Sequence, residues 1–589
     1  MAYSMGMTKT APAMHVAVSR ARRVNKAGVE VEYRSVLLRT SFREDGKVKH
    51  ETLANLSALP DTAVETLRAS LAGKTMVEAG TALKIMRSLP HGHVDAVYAM
   101  ARGLGFEAML GPACRERDIV MALLAARICA PSSKLATLSF FADTTLGQDL
   151  GPVSTDDLYR AMDWLGNRQT TIEKALARAY LRPEVNPDKL ALFDLSSSWV
   201  TGTHNPLAAF GYSRDKKRGV EQIEYGMLAN RAGVPIAVRV FPGNTADPTA
   251  FIAIAAEIQD LAGVQDMVMV GDRGMITSAR IEALKDTTLG WVSALRNTAI
   301  QELAADQGPL QMSLFDQQNL AEISHPDYPG ERLIACYNPP LARMRKHKRA
   351  ELLDATEERL KTIQKAVTAG RLKDAGKTGL RVGKTLGKNN MAKHFTLTIT
   401  NTSFTWVRDP DSIATEAELD GIYVIRTNVT EDSMDAAEAV RVYKSLANVE
   451  KIFKSLKSRD LHIRPIYHHT EERTRSHVFL CMLAGHLTWH LRDALKPLTF
   501  TDEDRPIPEE PVAAVNRSTA AARKASTQQL ADGMPAYTYQ GLLRHLATRT
   551  RNTMSMAGTT GTFELLATPT PTQYQALDLI RDHTKNNRK

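Results

Sequence analysis

The sequence predicts a multidomain α/β protein, and three observations carry that expectation. At 589 residues the chain exceeds what one hydrophobic core normally holds. Two short apolar runs, KLALFDLSS ending about Asp194 and DMVMVGDRGM ending about Asp272, have the composition of buried central strands. Text of helical character follows the second run, and a third strand-like run, GIYVIRTNV, appears much later in the chain.

Composition narrows the class of partner. Hydrophobic residues make up 43% and charged residues 24%, ordinary values for a globular chain. Lys and Arg number 75 against 65 Asp and Glu, a formal charge of +10 with a pI near 9.2. That excess suits a polyanion such as nucleic acid. Cys114, Cys129, Cys336 and Cys481 form no CxxC pair and have no histidine at zinc spacing, so they read as buried thiols in a reducing cytosol. No apolar run reaches membrane-spanning length, and no signal-peptide core precedes the first arginines. The expectation is a cytoplasmic protein with no membrane partner.

Taken in order, residues 1–60 alternate polar and apolar positions around a turn at Asp45-Gly46, a small β element. Residues 61–188 turn helical, with Ser154 or Thr155 placed to cap a helix; this domain suits DNA binding or dimerisation equally. Residues 189–296 hold the first part of the α/β core, including QIEYGMLAN, PIAVRVF, a helix expected at 248–261 and another beginning near Thr277. Residues 297–419 interrupt that core: extended text, a long charged helix in ARMRKHKRAELLDATEERLKTIQKAV, then lysine-rich strand-like text, together a β-rich insertion. Residues 420–496 resume the core, 497–535 read as a flexible linker, and 536–589 form a C-terminal segment with a basic tail.

The stretch VYKSLANVEKIFKSLK, residues 442–457, is the most informative. Val442, Leu446, Val449, Ile452, Phe453 and Leu456 recur at helical spacing, and Tyr443, Glu450 and Lys457 stand seven apart, close to two turns. One helix is expected to present those three polar residues on one face. If Asp194, Asp272 and Glu450 converge at one sheet edge, they cannot all stay ionised without cations. Hard oxygen ligands of this kind select Mg²⁺ or Mn²⁺. Two such ions roughly 3.5–4 Å apart promote phosphodiester chemistry.

The motifs also resemble a family. Y-x-x-L-x-x-x-E-x-x-x-x-x-x-K at Tyr443, Leu446, Glu450 and Lys457 resembles the Y-x-x-R-x-x-x-E-x-x-x-x-x-x-K signature of DDE transposases in the insertion-sequence 4/1634 superfamily. FDLSSS at Asp194 and VGDRGM at Asp272 are similar to that family's two aspartate motifs, and the resemblance covers roughly Lys189 to Lys496. It implies an RNase H-like mixed-sheet core interrupted by a β-rich insertion, with helical N-terminal and C-terminal regions. It further implies Asp194, Asp272 and Glu450 as catalytic ligands of two Mg²⁺ or Mn²⁺ ions, with Tyr443 and Lys457 on DNA. The implied partners are double-stranded DNA, as terminal inverted repeats and target, and further copies of the chain in a homodimer or larger assembly on the bacterial nucleoid. The family's Arg is Leu446 here, so its phosphate contact is absent or supplied elsewhere; Lys444 and Lys454 are the nearby candidates, neither on the same helical stripe.

Several residues carry two readings. Lys457 suits a phosphate contact or a solvated helix position. Asp215 and Asp247 suit either the site's surroundings or loop turns. Arg473 and Arg475, beside His468 and His469, are placed for phosphate contact, as are the basic residues of the insertion. FDLSS and GDRG are loosely similar to haloacid-dehalogenase-like phosphatase motifs, but Ser196 stands where that chemistry needs a second Asp. The same motifs also fit a host-serving nuclease of this fold, or a catalytically idle transposase relic that binds DNA.

Overall fold

The computed structural model describes residues 14–587, except positions 27, 45, 75–82, 183–185, 188, 216, 246–266, 274–280, 283, 285–287, 306–307, 316–317, 502–509, 514–515 and 557–560. The helix expected at 248–261, the helix start near Thr277 and Asp247 lie outside the described residues. Two compact units divide the chain: residues 1–88 with 551–566, and residues 89–550 with 567–589.

In the first unit, β1 (Met14–Val24), β2 (Glu30–Glu44) and β3 (Lys47–Asn55) form an antiparallel sheet. The helix Asp61–Leu71 turns Val64 inward, and Val36 of β2 is buried with it. A second sheet orders β16 (Thr562–Leu566), β15 (Thr550–Met556) and β4 (Leu83–Pro90).

The second unit is a mixed α/β body around an eight-stranded mixed sheet. Its strands are β5 (Leu190–Trp199), β6 (Gln222–Ala229), β7 (Pro235–Pro242), β8 (Val268–Val270), β9 (Gly290–Ala294), β10 (Leu320–Ile323), β11 (Arg332–Tyr337) and β14 (Ile422–Thr427). Their order is β10-β11-β14-β9-β8-β5-β6-β7. The centre, β9-β8-β5, is parallel, and β6, β7 and β14 join antiparallel to their neighbours. Every residue of β6 is buried, which explains its nearly unbroken apolar text.

Helices cover this sheet. The 24-residue helix Glu471–Ala494 is buried along most of its length and packs on β7 and on the helices Arg115–Cys129 and Thr155–Gly166. Ser154 caps the last of these in a reciprocal capping box with Asp157. Buried Glu173 accepts hydrogen bonds from the Val238 N–H and from Arg239, fastening the helix Gln169–Tyr180 to β7. Among the described residues no single helix is long and apolar enough to cross a membrane.

Residues 297–419 differ from the expected β-rich block. Among the described residues β10 and β11 belong to the main sheet, and only β12 (Phe395–Ile399) and β13 (Phe404–Arg408) form a separate hairpin. Two helices dominate, Pro339–Thr368 and Ala375–Asn389. The second was expected as strand because four glycines dilute its pattern. Thr378, Val382 and Leu386, each four apart, nevertheless form a buried helical stripe against Leu353, Leu360 and Ile363. The described residues of 497–535 likewise include packed and helical structure rather than a plain linker. Val512 is buried, and the helix Thr519–Thr527 has Ser518 as its cap.

Candidate active site

The site starts from the parallel pairing of β5 with β8. Leu190, Ala191 and Leu192 pair with Val268, Met269 and Val270. Asp194 and Asp272 each come two residues after the last pair, so the register brings them abreast on the face of Leu192 and Val270. Asp194 was expected at a strand end. Instead β5 continues to Trp199 as the antiparallel partner of β6, and only the parallel pairing stops before Asp194.

Glu450 arrives from the far side of the insertion. The expected single helix over 442–457 is two, Ala436–Lys444 and Leu446–Lys454, broken at Ser445 and followed by a π-helical turn, Ser455–Arg459. The Ser445 side chain donates to the Val442 carbonyl at the break. Val449, Ile452, Phe453 and Leu456 are buried, and Glu450 faces solvent. The side chain of Asp194 is only 17% exposed, and its carboxyl is pushed up to about 6. Burial is the main cause, and the charges of Asp272 and Glu450 add to it, so both of these carboxylates act on Asp194. The Leu195 N–H, 2.8 Å from Asp194 Oδ1, and the Arg214 guanidinium oppose the shift. Among the described residues the carboxylates do not close into a ready-made set of three metal ligands.

Tyr443 reaches the same place, its hydroxyl donating to Asp272 Oδ1 at 3.5 Å. Burial, then the Asp272 charge, raises the phenol well above its ordinary range. Lys457 follows Glu450 through the wide π-helical turn Ser455–Arg459, which shifts the helical phase between the two. Its Nζ instead lies 2.9 Å from Asp215 Oδ1, in an ion pair that Arg464 also joins. Burial holds the Lys457 ammonium below its ordinary range, with Asp215 acting against it. Asp215 thus sits in a turn and also serves as a buried counter-ion.

Other expected contacts are engaged within the chain. Lys444 donates to the carbonyls of Pro511, Val512 and Ala513, which removes it as a substitute for the missing arginine, while Lys454 stays exposed. Arg475 pairs with Glu471 and donates to the Val240 carbonyl at 2.7 Å. Arg473 lies 4.5 Å over the ring of Tyr159 and 3.5 Å from Asp163. Both arginines line a cleft of about 520 Å³ with Asp163, Gln169 and Glu472, a mixed rather than cationic lining. His468 is buried against Tyr159 and His477, while His469 is exposed.

Arg214 is the site residue that sequence reasoning missed. It comes from the loop after β5, its Nη1 lies 3.9 Å from Asp194 Oδ1, and its backbone N–H donates to Ser197 Oγ. Further along β5, Lys217 and Arg464 sit 3.5 and 4.7 Å over the ring of Trp199. Its only sequence signal was the cation cluster YSRDKKRG, which carries no spacing rule.

A part-buried aspartate flanked by two exposed acidic residues and an arginine, on a mixed sheet, suits the class of enzymes that handle polyanions. Two family models locate the chain within it. The model described as "Transposase DDE domain" matches residues 198–485, a span that begins four residues after Asp194 and contains Asp272 and Glu450. The model described as "IS1634 family transposase, N-terminal domain" matches residues 20–80. The chain belongs to the DDE transposases of insertion sequences, enzymes that cleave and transfer DNA strands. No curated protein matches it. Among solved structures, the cryo-EM structure of the piggyBac transposase synaptic complex with hairpin DNA is similar over 77% of each chain, at 8% identity and a TM-score of 0.32.

Proposed function

We propose that the protein is a Mg²⁺-dependent insertion-sequence transposase that cleaves at the element's ends and joins the freed 3′-hydroxyl to target DNA. The observation that carries this reading is the approach of Asp272 and Glu450 to Asp194, which feels the charge of both, the three coming from β5, the end of β8 and a helix beyond the insertion. The strand order β7-β6-β5-β8-β9, antiparallel on one side of β5 and parallel on the other, supports an RNase H-like core.

The donor set suits a hard divalent cation: three carboxylates, one of them mostly desolvated and short of positive charge. Asp194 and Asp272, abreast, would hold one ion, and Glu450 with one of the aspartates a second. When bound, such ions stabilise the attacking and leaving oxygens of an in-line displacement. The chain's own residues do the rest. Tyr443 holds the Asp272 carboxylate by its hydroxyl, and Arg214 offers a cation to the phosphate next to Asp194. Lys457, through Asp215, positions Arg464 and the loop that carries Arg214, a role replacing the direct DNA contact expected from its motif. Two element ends have to be held together, so a dimer or larger assembly is the working unit.

The test uses full-length protein, a duplex carrying the element's own terminal repeats, and Mg²⁺. Nicking with joining of the 3′ end to a target plasmid, both lost in Asp272→Ala, is the expected result. Cleavage without joining would point to a nuclease instead. Equal cleavage by wild type and the Asp272→Ala variant would remove the catalytic assignment.

A further inference from the structure

The first unit carries a projection that the catalytic site does not use. β1 pairs with β2 over eleven residues, from Met14↔Thr40 to Val24↔Glu30. β3 covers β2 only from Leu37 onward. Beyond the Val18↔Val36 pair, six further pairs therefore extend past β3 as a two-stranded arm about 20 Å long, met at Arg34 by Asp61 of the following helix. On β1 every side chain of this arm, from Ser19 to Val24, is exposed. Two-stranded ribbons of this kind are marginal in water by themselves.

Its cross-strand charges are mixed. Arg20 stands directly opposite Arg34, a like-charge pair, and Arg22 stands opposite Glu32, an unlike one. Arg34 is satisfied by Asp61, whereas Arg20, Arg22 and Arg23 form no ion pair among the described residues. The alternation of β1 puts Arg20 and Arg22 on one face and Arg23 on the other, beside Tyr33 and Val31. A ribbon resting on a flat anionic surface needs cations on one side only. Cations on both faces match a ribbon lying between two walls of phosphates, and the B-DNA major groove, about 12 Å wide, admits a two-stranded ribbon.

We propose that the β1–β2 arm enters the major groove of duplex DNA, with Arg20, Arg22 and Arg23 meeting the flanking phosphates or base edges. This rests on the transposase reading, since it supplies that enzyme with a duplex-holding element apart from the carboxylates. The experiment measures binding of full-length wild type and the triple variant Arg20→Ala/Arg22→Ala/Arg23→Ala to a fluorescent 30-base-pair duplex, at several salt concentrations. The slope of log K against log salt should fall by roughly 2–3 in the variant, at about 0.9 for each phosphate no longer neutralised, with affinity at least tenfold weaker. The Lys triple variant should retain the slope. Trypsin gives a second readout on unmodified protein: the duplex should shield cleavage after Arg20, Arg22 and Arg23.

Equal slope and affinity in a folded Ala variant, or unshielded cleavage in the presence of bound duplex, would overturn the arm while leaving the transposase reading in place. Failure of the wild type to bind any duplex would overturn both.

Discussion

Arg214 Nη1 lies 3.9 Å from Asp194 Oδ1 while donating a 2.6 Å hydrogen bond to the carbonyl of Leu195. One guanidinium thus braces the strand and faces its carboxylate. Burial, Asp272 and Glu450 push the Asp194 carboxyl up to about 6, and Arg214 is the charge holding it there rather than higher. Arg214→Gln should move the pH midpoint of Mg²⁺-induced stabilisation upward, and Arg214→Lys should restore part of the shift. Thermal melts with and without Mg²⁺ across pH 5–8 check both. An unchanged midpoint in the Gln variant would show that Arg214 only braces the loop.

The same carboxyl links stability to pH. Its folded value is raised, so its favourable contribution is full below the unfolded value of 3.8 and is lost as pH rises through about 6. The loss is on the order of 2–3 kcal/mol for a shift of this size. Asp194→Asn should therefore melt higher than the wild type at pH 8 without metal, by roughly a few degrees, and should gain less from Mg²⁺. A lower melting temperature with an intact Mg²⁺ response would contradict the electrostatic picture.

Lys457 and Asp215 are predicted to fail unequally. Lys457→Met leaves Asp215 with Arg464, so the cost should be about 1–2 kcal/mol. Asp215→Asn leaves two cations facing each other in a site where its own side chain is 5% exposed, and should cost about 3–5 kcal/mol. Urea denaturation of the single and double variants tests this. Additive losses would mean that the pair is not coupled.

Gly226 faces Leu195 across the β5–β6 ladder, and a Cβ there would sit 2.4 Å from the Phe193 ring and 2.9 Å from Leu195 Cδ2. Both neighbours flank Asp194. Gly226→Ala should cost about 1–3 kcal/mol and displace the carboxylate, so that cleavage falls further than stability alone explains. Cleavage rate and melting temperature measured on one preparation separate the two effects.

The sequence showed the strands before Asp194 and Asp272, and the return of the core at Ile422, because apolar runs bounded by turns are local signals. It also showed the amphipathic face around Glu450, since buried Val449, Ile452 and Phe453 keep helical period. It did not show the break at Ser445, whose hydroxyl competes for a backbone carbonyl only in the folded chain. Nor did it show that Lys444 binds carbonyls sixty-odd residues away, or that Arg214 folds back on its own strand. Those contacts depend on tertiary proximity, which periodicity cannot carry. The glycine-bearing helix Ala375–Asn389 failed for a different reason, its low propensity being overridden by the packing of Val382 and Leu386.

The two helices and hairpin of residues 339–408 separate the aspartates from the glutamate, and that has a consequence in time. Asp272 leaves the ribosome 178 residues ahead of Glu450. At synthesis rates of about 5–20 residues per second the interval is roughly 10–35 s. During it the nascent chain carries Asp194 and Asp272 but not Glu450, and residues 551–566 of the arm's own unit are still to be made. On the proposed assignment, a partly made molecule holds two of the three carboxylates and cannot yet cut DNA.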